Sequence, residues 1–245
     1  ISPTCDPRES SRRMRAGSAR GERKVETVEA YAHVLEQLSG RAAADEDLTI
    51  VDAGAGTGNL VLPLAASGIL ARARWVAVDV KAESLRLLEQ RAAAAGLGPD
   101  RVSAWLGRIE DYDGPCDAVF SLHACGEASN AALRLADARG VPFAISPCCI
   151  GKISRDRGPL SEELRGLMRR EGVEDVGNAF WLIARWADAE LFAAGSEGER
   201  RQRRAKAVVE ADRILSLGGG GYRRMLSGPH MNASPKRDML VGPAS

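Results

Sequence analysis

The chain has 245 residues, 44% of them hydrophobic, which is enough for one sizeable α/β domain with a buried core. Its 34 basic and 33 acidic residues nearly cancel, so net charge does not indicate a nucleic-acid partner and only local clusters bear on that question. No stretch approaches the roughly 20 apolar residues of a membrane span, and no signal-peptide pattern precedes the domain. We therefore expect no membrane association and a cytoplasmic location.

The cysteine pattern argues against a disulfide scaffold. There are five cysteines, an odd number, and two of them, Cys148 and Cys149, are adjacent. This pattern is typical of a reducing compartment. The chain begins at Ile1 rather than at methionine, so we expect it to be a fragment of a longer protein.

The pattern of the chain predicts one domain after a disordered segment. Residues 1–20 are rich in Arg and Ser and lack apolar periodicity, so we predict disorder there and a domain over 21–245. Helical spacing then predicts a first helix over 22–38. Short apolar strands alternate with helices in the part that follows. The predicted strands are 48–52, 75–79, 102–106, 117–122 and 141–146. One predicted helix begins near Asn59, and two more cover 82–95 and 127–138.

This alternation predicts βαβ units and a mostly parallel sheet covered on both faces, that is, a Rossmann-like α/β fold. The C-terminal part is less regular. It contains three predicted helices, and we expect the second of these to cap the sheet or the site. The helices are 160–171, 178–193 and 198–217, and residues 222–226 and 239–241 are predicted to pair as a C-terminal antiparallel hairpin.

A glycine-rich loop follows the first predicted strand. Asp52 ends that strand, and Gly54, Gly56 and Gly58 give the spacing G-x-G-x-G. A loop between a parallel strand and the next helix presents backbone N–H groups to a ligand, and glycines allow its close approach. Dinucleotide sites use G-x-G-x-x-G, but here the sixth position is Asn59. The spacing therefore predicts S-adenosylmethionine and disfavours a nicotinamide cofactor.

Two further positions complete the predicted cofactor site. Asp79 ends the second strand, where a carboxylate accepts hydrogen bonds from ribose hydroxyls. The adenine pocket should follow the third strand, at residues 107–110. Many methyltransferases have an acidic residue after the glycine there, whereas this chain has Arg108. We therefore predict adenine recognition by backbone groups and by packing against Ile109.

A cluster of cysteines and one histidine follows the fourth and fifth strands. His123 and Cys125 come after the fourth strand, and Cys148 and Cys149 come after the fifth. Ligands of open α/β sheets bind at the carboxyl ends of the strands, so these residues should face the methyl group of S-adenosylmethionine. His123 is the candidate base or orienting group, because its pKa is ordinarily near neutral.

Three other interpretations of the cluster stay open. The Pro147-Cys148 pair resembles the Pro-Cys nucleophile of pyrimidine C5-methyltransferases, in which a thiolate adds to the ring. A zinc site is disfavoured because no C-x-x-C spacing is present, and we predict no metal. The cysteines are alternatively small apolar side chains of the core.

Several of these segments together resemble a known family. The chain is similar to the methyltransferase domain of the glutathione S-transferase C-terminal domain-containing proteins and, more distantly, to eukaryotic tRNA acceptor-stem 2′-O-methyltransferases. His-Ala-Cys-Gly followed by Pro-Cys-Cys is the more specific part of the match, and the family pattern has Asp where this chain has Asn130. The segments that carry the resemblance are 21–25, 51–52, 54–58, 122–126, 147–153, 234–236 and 239–242.

The resemblance implies a seven-stranded class I methyltransferase fold, S-adenosylmethionine as cofactor and RNA, tRNA-like, as a possible acceptor. Residues 199–206 hold five basic side chains that are either phosphate contacts or a solvated helix start. Aromatic residues make up only 4% of the chain, so base-stacking surfaces should be scarce. The alternatives are a methyltransferase acting on protein or a small molecule, and a noncatalytic binding module with the same fold.

Overall fold

The computed structural model describes residues 19–39, 47–122, 124–147, 149–189, 192–193, 195–218, 224–227 and 238–242. The strands form one sheet of order β3-β2-β1-β4-β5-β7-β6. They are β1 (Thr49–Ala53), β2 (Arg74–Asp79), β3 (Val102–Leu106), β4 (Ala118–Leu122), β5 (Phe143–Ser146), β6 (Arg224–Ser227) and β7 (Asp238–Gly242). The first five pair in parallel, and β7 is antiparallel to both β5 and β6. This arrangement confirms the predicted Rossmann-like fold with a mostly parallel sheet and a C-terminal antiparallel pair.

The helices cover both faces of the sheet and add a small third layer. They are α1 (Ala19–Ser39), α2 (Val61–Ser67), α3 (Ala82–Ala94), α4 (Glu127–Arg139), α5 (Glu162–Arg170), α6 (Val176–Ala187) and α7 (Glu197–Leu215). Helices α1, α2 and α3 enclose one core cluster, which includes Trp75 and Phe120, and α4 covers a second on the opposite face. Helices α5, α6 and α7 share a third cluster with residues that follow β5.

Most element boundaries lie within a few residues of the predicted ones. Pro63 is accommodated in the first turn of α2, where its missing N–H costs no helical hydrogen bond. The predicted helix 178–193 is too long, because α6 ends at Ala187 and Phe192 packs back against Trp186. Residues 1–18 of the predicted disordered segment lie outside the described residues, and residues 19 and 20 already belong to α1. No helix in the described ranges has both the length and the apolar content to cross a bilayer.

A buried ionic network connects α7 to α4. The Arg213 guanidinium donates to both carboxylate oxygens of Glu210, at 3.0 and 3.1 Å, and to Oδ1 of Asn130 at 2.8 Å. The Arg213 and Glu210 side chains are 1% and 0% exposed. Burial raises the pKa of Glu210, while the positive charges of Arg213 and Lys206 lower it. The network therefore holds the α5–α7 layer against the helix that follows the β4 end.

Arg213→Met should lower the free energy of unfolding by about 3–5 kcal/mol, because it leaves Glu210 buried without its main counter-charge. The double variant Arg213→Met/Glu210→Gln should recover part of this loss, since the uncompensated charge is removed. Urea denaturation of the three proteins measures both effects. If the free energy of unfolding of Arg213→Met were within about 1 kcal/mol of that of the unsubstituted protein, this role of Arg213 would be contradicted.

Candidate active site

The glycine loop after β1 is hydrogen-bonded to the neighbouring strand β2. The N–H groups of Gly54 and Ala55 both donate to the carbonyl oxygen of Val78, at 2.8 and 3.1 Å. The N–H of Gly58 then donates to the carbonyl oxygen of Ala55 at 3.0 Å, which closes a tight turn before α2. The predicted loop is thus a fixed backbone surface at the carboxyl edge of the sheet.

Gly56 and Gly58 serve the loop in different ways. Both have positive φ, +55° and +83°, which disfavours any residue with a side chain. A Cβ on Gly58 would lie 2.8 Å from Cγ of Leu62, so this glycine allows α2 to pack closely. Among the residues that the structure describes, none would lie within 4 Å of a Cβ on Gly56. The open space above Gly56 is therefore where a ligand can approach the backbone.

Asp79 is anchored where the sequence places it. Its Oδ2 accepts the N–H of Gly56 at 2.8 Å, and its Oδ1 accepts the N–H of Lys81 at 2.9 Å. The carboxylate is only partly buried. Each carboxylate oxygen can accept a second hydrogen bond, which a ribose hydroxyl would supply. That ribose contact stays a prediction.

Asp52 is a buried acid beneath the same loop. It is 1% exposed, and it accepts a hydrogen bond from the backbone N–H of Val61. Its Oδ2 has no hydrogen-bond partner within the part of the chain that the structure describes. Burial, and secondarily repulsion from Asp79, raises the pKa of Asp52 to about 7. The orphaned oxygen is the group that a polar or cationic part of a ligand would satisfy.

Arg91 of α3 supports the loop from the side, a role that the sequence analysis missed. Its guanidinium donates to the carbonyl oxygen of Thr57 and, at 3.2 Å, to Oδ1 of Asn59. Arg91 and Asn59 are 32 positions apart in the chain, and no local pattern indicates that they pair.

The predicted adenine loop also lies next to the glycine loop. The N–H of Gly107 donates to the carbonyl oxygen of Asp79 at 3.1 Å. Ile109 is buried in the core cluster under α4, together with Tyr112, so at most an edge of it faces a ligand. Arg108 points outward and pairs with Glu110 at 3.5 Å. The contact of Ile109 with adenine stays a prediction.

The ends of β4 and β5 lie side by side, as the sequence predicts. The N–H of Gly126 donates to the carbonyl oxygen of Cys149 at 3.2 Å. Gly126 has φ +59°, and a Cβ there would lie 2.9 Å from the carbonyl oxygen of Lys152. Ala124 closes the gap to the glycine loop, 3.5 Å from the position that a Cβ of Gly54 would take. We call residues 124–126 and 149–152 the acceptor wall.

The two predicted catalytic residues, His123 and Cys148, lie outside the described residues. Their neighbours Cys125 and Cys149 are half-buried. Within the described ranges, no group of three or more His, Cys, Asp or Glu side chains is arranged to hold a metal. The role of a His–Cys cluster in the chemistry therefore remains a prediction.

Asn130, which departs from the family pattern, has a structural role. It is 2% exposed, and its Oδ1 accepts a hydrogen bond from Arg213 at 2.8 Å. Its amide nitrogen lies 3.2 Å from Oε2 of Glu127 as a donor. Asn130 thus belongs to the buried network behind the acceptor wall, which explains the polar side chain without a catalytic function.

A family profile described as a methyltransferase domain matches residues 23–156, more than half of the chain. The chain belongs to this methyltransferase family. The match contains the glycine loop, Asp79 and the acceptor wall, so it covers the predicted cofactor and acceptor sites. Family membership and the loop geometry together support S-adenosylmethionine as the cofactor of the methyltransferase domain.

Among curated proteins, the methyltransferase domain is similar to the glutathione S-transferase C-terminal domain-containing protein of Xenopus laevis, with 24% identity over 92% of this chain. The Drosophila melanogaster homolog is 27% identical over 90% of this chain. The chain spans about a third of the length of these relatives, 35% and 36%. Among solved structures, magnesium protoporphyrin IX methyltransferase from Synechocystis, solved with bound S-adenosylhomocysteine, shares the fold. The TM-score is 0.52 at 16% sequence identity, and the match covers 93% of this chain and 87% of that chain.

A matched pair of alanine substitutions separates binding from folding in the glycine loop. Gly56→Ala should fold with a loss of about 1–2 kcal/mol, because φ is positive there but space is open. It should nevertheless lose most affinity for S-adenosylhomocysteine in calorimetry, because the methyl group enters the ligand space. Gly58→Ala should lose more stability, since its Cβ collides with Leu62. Equal stability losses, or full affinity in Gly56→Ala, would contradict this division.

The buried Asp52 makes stability depend on pH. Its pKa is higher in the folded chain than in the unfolded one, so the folded form binds the proton more tightly between about pH 4 and pH 7. The free energy of unfolding contributed by Asp52 therefore falls as the pH rises through that range, by up to about 4 kcal/mol. Asp52→Asn should remove this fall.

Melting temperatures of cofactor-free protein at pH 5 and pH 8 test this dependence. The variant should gain stability relative to the unsubstituted protein as the pH is raised. Asp47→Asn is the matched control, because the pKa of that exposed acid is lowered by Arg72 rather than raised. If the difference in melting temperature between Asp52→Asn and the unsubstituted protein were the same at both pH values, a raised pKa of Asp52 would be contradicted.

Proposed function

We propose that this methyltransferase domain transfers a methyl group from S-adenosylmethionine to RNA, in the cytoplasm. The observation that carries the proposal is the contact between the glycine loop and the acceptor wall. Ala124 lies against Gly54, and Gly126 is hydrogen-bonded to Cys149, so cofactor loop and wall meet at one edge of the sheet. A nucleophile held against the wall is then next to the space above Gly56.

The bound cofactor supplies a methyl group on a positively charged sulfur, which is a good leaving group. The protein has to orient the acceptor and exclude water, which accounts for much of the rate gain in such transfers. His123 is proposed to take the proton that the acceptor loses as its bond to the methyl carbon forms. If the acceptor is instead a pyrimidine carbon, Cys148 is the proposed nucleophile.

RNA is proposed as the acceptor because of the resemblance to tRNA methyltransferases and because exposed basic residues lie in the wall and just after it. Lys152 of the wall and Arg155 are both exposed. The basic segment of α7 supports the proposal less. Its arginines at 200, 201 and 203 form ion pairs with Glu197 and Glu199, as in a solvated helix start. Lys206 is buried against Asp238 at 2.8 Å.

Two measurements test the proposed function. The domain should bind S-adenosylhomocysteine in calorimetry. When the domain is incubated with labelled S-adenosylmethionine and cell extract, it should transfer label to material from which nuclease, but not protease, releases the label. His123→Ala should lower turnover about 100-fold or more, as loss of a general base does, yet leave the affinity for S-adenosylhomocysteine unchanged. Cys148→Ala is the companion variant, and it should lose turnover only if a covalent intermediate forms.

Absence of affinity for S-adenosylhomocysteine would overturn the proposal. Label released by protease would assign a protein acceptor instead of RNA. Unchanged turnover in His123→Ala would remove that residue from the mechanism.

A further inference from the structure

The few aromatic residues of the chain are concentrated at one place. Four of its eight tryptophan and phenylalanine residues lie between positions 180 and 192. Phe180 is buried in the third core cluster, whereas the other three are at least partly exposed. We call Trp181, Trp186 and Phe192, with Arg155 and Arg185, the aromatic–arginine surface. Aromatic residues are scarce in the chain, as its composition shows, but this stretch holds enough of them to form one base-stacking surface.

The rings of this surface are arranged as flat platforms. The Trp186 and Phe192 rings are parallel, with centroids 5.3 Å apart and an interplanar angle of 5°. Trp186 remains 45% exposed although Phe192 covers part of it. The guanidinium carbons of Arg155 and Arg185 lie 5.5 and 5.7 Å from the ring centroid of Trp181. Aromatic faces and planar cations are therefore presented together.

An open hollow of about 410 Å³ connects part of this surface, Arg185, Trp186 and Phe192, to the acceptor wall. Trp181 lies next to it through its contact with Arg185, and Arg155 through its contact with Trp181. The hollow is lined by Gly151 of the wall and, from α6 and the residues after it, by Leu182, Arg185, Trp186, Asp188, Ala189 and Phe192. A Cβ on Gly151 would lie 3.0 Å from Cβ of Asp188, so the end of α6 packs directly on the segment after β5. A ligand in the hollow therefore contacts the same segment that forms the wall.

We infer that the aromatic–arginine surface binds an unpaired base of the RNA acceptor, with the adjoining phosphate held by Arg155 and Arg185. The inference rests on the proposed function, which it extends from the class of acceptor to the way the acceptor is held. Bases stack on exposed aromatic rings irrespective of sequence, each contact being worth about 1–3 kcal/mol.

Charge decides between RNA and an apolar protein partner as the occupant. An apolar partner would have to take the guanidinium groups of Arg155 and Arg185 out of water without supplying an anion, which is costly. A phosphodiester supplies that anion, and a planar guanidinium matches its geometry. The position beside the acceptor wall also suits a nucleotide next to the methylated one, because the two are joined by a single backbone.

Fluorescence anisotropy with a labelled, unstructured 12-nucleotide RNA tests the inference. The chain should bind this strand more tightly than the matching duplex, whose bases are already stacked. Trp186→Ala should weaken binding about 5- to 150-fold, the range that corresponds to loss of one stacked base. Trp186→Tyr, which keeps a flat aromatic face, should restore most of the affinity. Arg185→Ala should reduce the slope of log affinity against log salt by about 1.

Leu167→Ala on α5 is the matched control, because Leu167 is 46% exposed, as Trp186 is, but lies outside the hollow. It should leave RNA affinity unchanged, and all variants should keep their affinity for S-adenosylhomocysteine and their melting temperature. If the Trp186→Ala variant binds RNA with the same affinity as the unsubstituted chain, the inference is overturned. If label still enters RNA in that case, the proposed function stands without it.

Two other outcomes also overturn the inference. An unsubstituted chain that binds no RNA and labels none removes the proposed function as well. A Trp186→Ala chain that changes its mass in solution but not its RNA affinity would assign the surface to a protein interface.

Discussion

The site depends on hydrogen bonds that hold the glycine loop to the strand beside it. Val78 accepts the N–H groups of Gly54 and Ala55, and the neighbouring Asp79 accepts that of Gly56. Because β1 and β2 are in parallel register, their ends are level, and the loop is fixed from below by one strand and from the side by the other. Among the described residues, no side chain would have to move for a ligand to reach the backbone at Gly56.

The acceptor side depends on two close approaches rather than on a single side chain. Gly126 lets the segments after β4 and β5 touch, because any Cβ there would press on the carbonyl of Lys152. Behind it, Arg213 lies between Glu210 and Asn130 and holds α7 against α4. Removing charge from this network is therefore expected to affect the wall through the packing of α4, at a distance from the methyl group.

The sequence predicted the parts of the molecule that local patterns determine. Short apolar strands and helical spacing gave the order of elements, and the G-x-G-x-G spacing located the tight loop after β1 that is hydrogen-bonded to Asp79. The contacts made across long stretches of chain were not predictable in this way. Arg91 reaches Asn59 across 32 residues, and Arg213 reaches Asn130 across 83. The length of α6 was misjudged because the apolar pattern continues to Phe192, which stacks on Trp186 instead of extending the helix.

The most direct test of the proposed cofactor site is a crystal structure of the domain with S-adenosylhomocysteine. We predict that its ribose hydroxyls lie within hydrogen-bond distance of Asp79, that the ligand lies against the loop backbone at Gly56, and that its sulfur faces residues 124–126 and 149. Ligand bound away from Gly56, or with its sulfur turned from the ends of β4 and β5, would contradict it.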